Sequence, residues 1–190
     1  MSYLYNFIFW YPVVMSLVWI AGSIIFYFYR ERKQNLDFEN IDWPAISILV
    51  PCYNEAATIT ETIERLVNLS YPNKEIIAVN DGSSDETASL LYDLAARYDT
   101  VRFIDCQENR GKANALHLAL HASTTEYLVC VDSDAILEDT APYYLVYNFL
   151  HRGERLGAVT GNPRIRNRNT LLGRLQLVEY ASIIGSIKRT

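Results

Sequence analysis

The sequence predicts an α/β domain with a mostly parallel sheet, preceded by one transmembrane helix. Three observations carry this reading. Residues 1–29 contain no Asp, Glu, Lys or Arg and hold 11 of the 24 aromatic residues. From residue 45 onward, short apolar and β-branched runs alternate with segments of helical periodicity, as βαβ units do. Three of the expected strands end in polar or acidic residues: Pro51-Cys52-Tyr53-Asn54-Glu55, Asn80-Asp81-Gly82-Ser83 and Asp132-Ser133-Asp134. A disordered or fibrous chain is excluded by 50% hydrophobic residues with only 8 Gly and 6 Pro.

The amino-terminal span is read as Phe7 to Tyr29, about 34 Å as a helix and enough to cross a bilayer. Aromatic residues crowd both of its ends, where amphipathic rings prefer the membrane interfaces. Pro12 is expected in the first turn, where its missing N–H costs little. A cleaved signal peptide would need a basic start and a small-residue cleavage site, and neither is evident. Arg30, Arg32 and Lys33 follow the span, so the positive-inside bias places the rest of the chain in the cytoplasm. The expected organisation is a membrane anchor over 1–33, a linker over 34–44 and one catalytic-type domain from 45 to 190.

Within that domain the pattern predicts strands at Ile46–Val50, Glu75–Val79, Val101–Ile104 and Tyr127–Val131, with a fifth at Ala158–Thr160. Two capping boxes, Thr58-Ile59-Thr60-Glu61 and Ser83-Ser84-Asp85-Glu86, should open helices. The first carries Ile59, Ile63, Leu66 and Val67 at helical spacing, and the second runs to about Tyr98. A third helix is expected over Lys112–His121. Leu171–Ile187 has an apolar stripe that suits either packing in the domain or rest on a membrane surface.

Charge is unevenly spread. Residues 30–150 carry 9 basic and 20 acidic groups, whereas residues 151–190 carry 8 basic and 2 acidic. An acidic body argues against nucleic-acid binding, which needs a basic face. Arg164, Arg166, Arg168 and Arg174 read as a solvated face, with anionic lipid or sugar phosphate as the other option. Cys52, Cys106 and Cys130 have no metal-type spacing and are read as buried free thiols. His117 and His121 are four apart on one helix, but no third ligand is near in sequence, so they are read as ordinary helix positions.

In open α/β sheets, ligands bind beyond the carboxyl ends of the strands. All three polar clusters fall there. Asp132 and Asp134, flanking one residue after an apolar strand, suit a hard divalent cation, Mg²⁺ or Mn²⁺, with positions left for water and substrate phosphates. Taken singly, each cluster is an ordinary turn; their shared register is what points to a site.

PCYNE at 51–55, NDGSSD at 80–85, ENRGKANAL at 108–116 and VDSD at 131–134, in that order and spacing, resemble the inverting glycosyltransferases of family 2. Their GT-A fold is a Rossmann-like domain. Residues 157–190 and the segment before the domain resemble most the bacterial synthases that polymerise β-1,6-linked N-acetyl-D-glucosamine into biofilm exopolysaccharide. That resemblance implies roles. Pro51, Tyr53 and Glu55 would line the uridine pocket, and Asp81 would bind the uracil or ribose end. Lys112 and Ser133 would lie against the nucleotide sugar. Asp132 and Asp134 would hold the metal, and Asp81, Asp132 and Asp134 would form the catalytic set. Asn162, Pro163 and Arg164 would face the sugar and acceptor. Ser133 stands where these relatives usually have glycine.

The family's Thr-Glu-Asp segment, which supplies the general base, and its Gln-X-X-Arg-Trp segment are not found in residues 1–190, so the domain is expected to be incomplete at its carboxyl-terminal end. The implied partners are UDP-N-acetylglucosamine, a growing polysaccharide, the lipid bilayer and membrane export or accessory subunits. The implied location is the bacterial inner membrane, with the domain facing the cytoplasm. Two other readings stay open: another processive synthase of cellulose, hyaluronan or chitin type, and a membrane-tethered nucleotide-binding domain without transfer activity.

Overall fold

The computed structural model describes residues 2–26, 28, 41–152, 156–161, 170 and 172–176. The chain forms two compact units, residues 1–37 with 160–190, and residues 38–159. In the first unit, α1 spans Ser2–Phe26. Its Tyr3–Ile25 stretch is long and apolar enough to cross a membrane, with a mean hydropathy of 1.9. The helix starts earlier than the sequence suggested, so Pro12 lies in its interior rather than its first turn. There it removes the donor that would bond the carbonyl of Ile8; separately, Ser16 Oγ donates to the Pro12 carbonyl at 2.7 Å, the i→i−4 back-bond that serine makes within helices. The basic triad at 30, 32 and 33 lies outside the described residues.

The second unit is a four-stranded sheet in the order β3-β2-β1-β4, with every neighbouring pair parallel. The strands are β1 (Ile46–Cys52), β2 (Lys74–Asp81), β3 (Val101–Cys106) and β4 (Tyr127–Cys130). The helices are α2 (Ile59–Val67), α3 (Thr87–Arg97), α4 (Lys112–Ala122) and α5 (Ala141–Arg152). One face of the sheet, with Ile48, Val50, Ile76 and Ala78, packs with Ile63 and Leu66 of α2, Leu91 and Leu94 of α3, and Val146 of α5. The other face, with Leu49, Ile77 and Val79, lies under Ala115 and Ala119 of α4. Covering both faces is why the two central strands read as continuous apolar runs rather than alternating ones.

Several local expectations are corrected. β1 does not stop at Pro51 but runs on to Cys52. Its pairing with β4 ends at Leu49 opposite Cys130, so Pro51 falls where β1 has a strand neighbour on one side only, and its missing donor is tolerated. Neither capping box forms: Thr58 makes no side-chain cap bond to α2, and α3 is preceded by Glu86, not Ser83, at its N-cap position. Ser83 Oγ instead accepts from the Asn54 amide at 2.9 Å, and α3 starts four residues later, at Thr87. Asp85 stands before that helix, accepting from the Thr87 amide at 3.0 Å. No strand forms at 158–160. The three residues are bracketed by Gly157 and Gly161 and present no buried side, so nothing fixes an extended pair. Helix α5 was not anticipated; Pro142 in its first turn was the available start signal. Of the cysteines, only Cys52 is buried; Cys106 is half-buried and Cys130 exposed, all three free. Cys130 sits on edge strand β4, on the sheet face covered elsewhere by α4.

Trp43, at the end of the expected linker, stacks edge-on against Tyr71 and Tyr143 at 6.1 and 4.9 Å. The Tyr71 hydroxyl donates to the Pro44 carbonyl at 2.6 Å. Burial, with Tyr143 and Tyr127 nearby, pushes the Tyr71 hydroxyl up to about 12.

Candidate functional site

The carboxyl ends of β1, β2 and β4 open onto a cleft of about 350 Å³. It is lined by Pro51 near the end of β1 and Tyr53 and Glu55 just after it, Asp81 at the end of β2, Lys112 at the start of α4, and Asp132, Ser133 and Asp134 after β4. All eight belong to the segments singled out in sequence. Asn162 and Arg164 lie outside the described residues. The cleft also takes in Cys52, Asn109, Gly111 and Ala115. Asn109, Gly111 and Ala115 fall within the ENRGKANAL segment, which was the signal that could have found them.

The first two loops are tied together by backbone amides. Asn54 adopts a left-handed conformation with φ 55°, which asparagine tolerates better than most residues. This turns the amides of residues 54–56 toward the β2–α3 loop. Glu55 N donates to Thr87 Oγ1 at 2.8 Å and Ala56 N to Asp85 Oδ2 at 3.1 Å. In return, Asn54 Oδ1 accepts from Ser84 N at 2.8 Å. The Asp85 carboxyl is held below its ordinary range, chiefly by the hydrogen bond from the Thr87 hydroxyl. The side chain of Glu55 is oriented by Thr58, whose hydroxyl donates to Oε2 at 2.8 Å.

Asp81 is buried, 3% exposed. Its Oδ1 accepts from Arg110 N at 2.9 Å and its Oδ2 from Gly111 N at 2.7 Å. Two backbone donors on one carboxylate form a strong, directional clamp, and it fixes residues 109–111 beside the cleft. Gly82 makes the approach possible. With φ +67°, an added Cβ would sit 2.5 Å from Asn109 N and 2.6 Å from the Glu108 carbonyl carbon. Gly111, at φ +90°, turns the chain into α4.

Lys112, the first residue of α4, reaches across the cleft, with Nζ 2.5 Å from Asp132 Oδ1. Both side chains are more than half exposed, 61% and 59%. The turn that carries Asp132 and Asp134 is pinned from below: Thr62, buried in α2, donates to the Ser133 carbonyl at 2.8 Å. Ser133 is itself buried while Asp132 and Asp134 are exposed. Asp134 has no hydrogen-bond or ion-pair partner among the described residues. Burial, and then the charge of Glu55, pushes the Cys52 thiol up to about 12; that leaves it protonated and non-nucleophilic at neutral pH.

The lining therefore presents four carboxylates and one ammonium. Among the described residues, no group of three or more His, Cys, Asp and Glu side chains is placed to hold a metal. Asp132 and Asp134 are two exposed carboxylates one residue apart, a pair that could contribute oxygen ligands to a hard cation whose other positions go to water and phosphate oxygens. His117 and His121 lie elsewhere on α4, exposed, with their Nε2 atoms 3.2 Å apart.

The chain is 50% identical over 190 residues to the poly-beta-1,6-N-acetyl-D-glucosamine synthase of Staphylococcus aureus, covering 98% of this chain and 46% of that protein. It is 45% identical over 192 residues to the synthase of the same name from Staphylococcus epidermidis, with 99% and 46% covered. The chain thus spans about half the length of the curated relatives it matches. Among solved structures it resembles the mannosyltransferase PcManGT of Pyrobaculum calidifontis, in complex with GDP-Man and Mn²⁺, with a TM-score of 0.54 and 25% identity over 70% of this chain and 41% of that one. S. aureus TarS 1–349 in complex with UDP-GlcNAc shares the fold, with a TM-score of 0.50 and 21% identity over 65% and 38% of the two chains. The family model described as glycosyl transferase family 2 matches residues 47–189, which take in every cleft-lining residue, and the chain belongs to that family.

Proposed function

We propose that this chain carries the nucleotide-sugar site of a membrane-bound inverting glycosyltransferase, which transfers N-acetylglucosamine from UDP-N-acetylglucosamine to a growing β-1,6-linked exopolysaccharide. The observation that carries the reading is the gathering of all four motif segments around one cleft. The 50% identity to the staphylococcal synthase favours this donor and linkage over cellulose-, hyaluronan- or chitin-type synthesis. Family membership favours transfer over binding alone.

In this reading Pro51, Tyr53 and Glu55 hold the uridine. Asp81 shapes the loop beneath it and offers its remaining lone pairs to the uracil or ribose end. Lys112 and the Asp132-Ser133-Asp134 turn face the pyrophosphate. A cleft with four carboxylates repels a nucleoside diphosphate, so a cation must accompany it. Asp132 and Asp134 would hold Mg²⁺ or Mn²⁺, which supplies stabilisation of the charge developing on the departing nucleoside diphosphate. Asn162 and Arg164 are assigned to the acceptor side. Residues 1–33 are the membrane anchor, 34–44 the linker and 45–190 the transferase domain, facing the cytoplasm of the bacterial inner membrane. Export or accessory subunits receive the polymer.

The test is calorimetric titration of UDP into the detergent-solubilised chain with and without Mn²⁺. Binding should require the ion, and Asp134→Asn should weaken it at least tenfold while leaving thermal stability unchanged. Undiminished Mn²⁺-dependent affinity in that variant would refute the assignment of the metal pair.

A further inference from the structure

Among the described residues, Lys112 is the one positively charged side chain that lines the cleft, and its present partner is one of the two carboxylates assigned to the metal. Lys112 is anchored at its backbone: Gly111 N, immediately before it, is held by Asp81 Oδ2 at 2.7 Å and by Asn109 Oδ1 at 3.0 Å. Its ammonium, by contrast, is exposed at the end of a flexible four-carbon stem. The contact with Asp132 is one charge-assisted bond between two exposed groups, which is weak and easily exchanged. Asp132 cannot give the same oxygen fully to an ammonium and to a divalent ion, and the two cations repel at such separation. A diphosphate entering the cleft would offer the ammonium a more highly charged acceptor within the sweep of the same stem.

Building on the function proposed above, we infer that Lys112 is an exchangeable counter-ion. In the cleft without ligand it neutralises Asp132 and holds off a divalent ion arriving alone. When a nucleoside diphosphate enters, the ammonium transfers to phosphate and releases Asp132 for the metal. Metal and nucleotide therefore bind with positive coupling, and Lys112 is the source of that coupling. By linkage, UDP raises the affinity for the ion by the same factor as the ion raises the affinity for UDP.

The test reads Mn²⁺ binding directly, by the paramagnetic resonance of the free ion, in the full chain with and without saturating UDP. Lys112→Met should bind Mn²⁺ alone about threefold to tenfold more tightly than the unaltered chain, because a like charge at contact distance is removed. In the same variant, the enhancement of Mn²⁺ affinity by UDP should shrink by at least that factor. Lys112→Arg, which keeps the charge, should bind Mn²⁺ alone as the unaltered chain does. If Lys112→Met binds Mn²⁺ alone no more tightly, while the unaltered chain still shows Mn²⁺-dependent UDP binding, the counter-ion role is overturned and the proposed function stands. Absence of Mn²⁺-dependent UDP binding in the unaltered chain would overturn both.

Discussion

The two ends of the sheet treat a carboxylate in opposite ways. At the amino end, Glu75 on β2 is nearly enclosed, its side chain 17% exposed. It accepts from Ser47 of β1 at 2.5 Å, from the amide and hydroxyl of Thr124 at 2.8 and 2.9 Å, and from Arg102 of β3 at 3.1 Å. Burial alone would raise its pKa, but these donors outweigh it and hold the carboxyl at about 2. At the carboxyl end, Asp132 has one mobile ammonium and Asp134 has no partner among the described residues. A carboxylate whose lone pairs are all taken by the fold is structural, and one left wanting is available to a ligand. Asp81 shows that position along the strand does not decide the matter. It lies at the carboxyl end of β2, yet each of its oxygens already accepts from a backbone amide, so its first task is to shape the site.

The largest expected effect comes from breaking that shaping. In Gly82→Ala, the new methyl would meet backbone atoms of residues 108 and 109 at 2.5–2.6 Å, and neither can swing aside as a side chain would. The left-handed conformation adds about 1–2 kcal/mol and the overlap about 1–3 kcal/mol. Denaturant unfolding should show a loss of about 2–5 kcal/mol, with UDP affinity falling at least tenfold. Gly111→Ala, at a positive φ but with no atom within 4 Å of the added carbon, should lose only the conformational part. Equal losses in both would show that the 108–111 loop does not rest on Gly82.

Much of this was legible in the sequence, and for a physical reason. Strands buried on both faces are written as unbroken apolar runs, and the ligand end is written as polar residues immediately after them. Both signals are local, so all four strands and seven of the cleft residues could be read directly; Lys112, which opens α4 rather than ending a strand, came only from the family resemblance of residues 108–116. What could not be read depends on contacts far apart in the chain. The Ser-Ser-Asp-Glu pattern at 83–86 looks like a capping box, but Ser83 finds a better use in the amide of Asn54. Pro51 looks like a terminator until the pairing of β4 is known to stop short of it. The clamp of Asp81 on residues 110 and 111 joins groups 29 and 30 positions apart, and no spacing rule announces it. Helix α5 was missed because aromatic residues obscure its periodicity.

A second prediction sharpens the contrast by pH. Glu75 has an ordinary value of 4.5, lowered to about 2 in the fold. Its folded pKa is depressed, so its contribution to stability is fully present above about pH 4.5 and is lost as pH falls through about 2. Glu75→Gln removes the charge and turns an amide donor toward groups that already donate. Hydrogen bonds to charged groups contribute about 1.5–3 kcal/mol, and a loss in that range is expected at pH 7. The variant should then lose less stability between pH 4.5 and 2 than the unaltered chain does. Thermal unfolding across that window is the measurement; parallel curves for the two proteins would remove Glu75 from the account. UDP binding at pH 7 should be unchanged while the protein is folded, since the residue lies at the opposite end of the sheet from the cleft.

The smallest effect is expected at the hydrogen bond by which buried α2 holds the turn that carries the two exposed aspartates. Thr62 is 2% exposed and its hydroxyl donates to the Ser133 carbonyl, between two aspartates that make no bond to α2 themselves. Thr62→Val keeps the shape and deletes the donor, leaving that carbonyl without its partner from α2. A neutral hydrogen bond contributes about 0.5–1.5 kcal/mol, so stability should fall by about 1 kcal/mol. The effect on Mn²⁺-dependent UDP binding should be a few-fold, because the turn loses one restraint while Asp132 and Asp134 keep their charges. Thr62→Ser restores the hydroxyl and should recover binding even if the lost methyl leaves stability reduced. A purely structural role for Thr62 would make binding follow stability in both variants. Recovery of binding without recovery of stability is the outcome that ties this buried hydroxyl to the placement of the two aspartates.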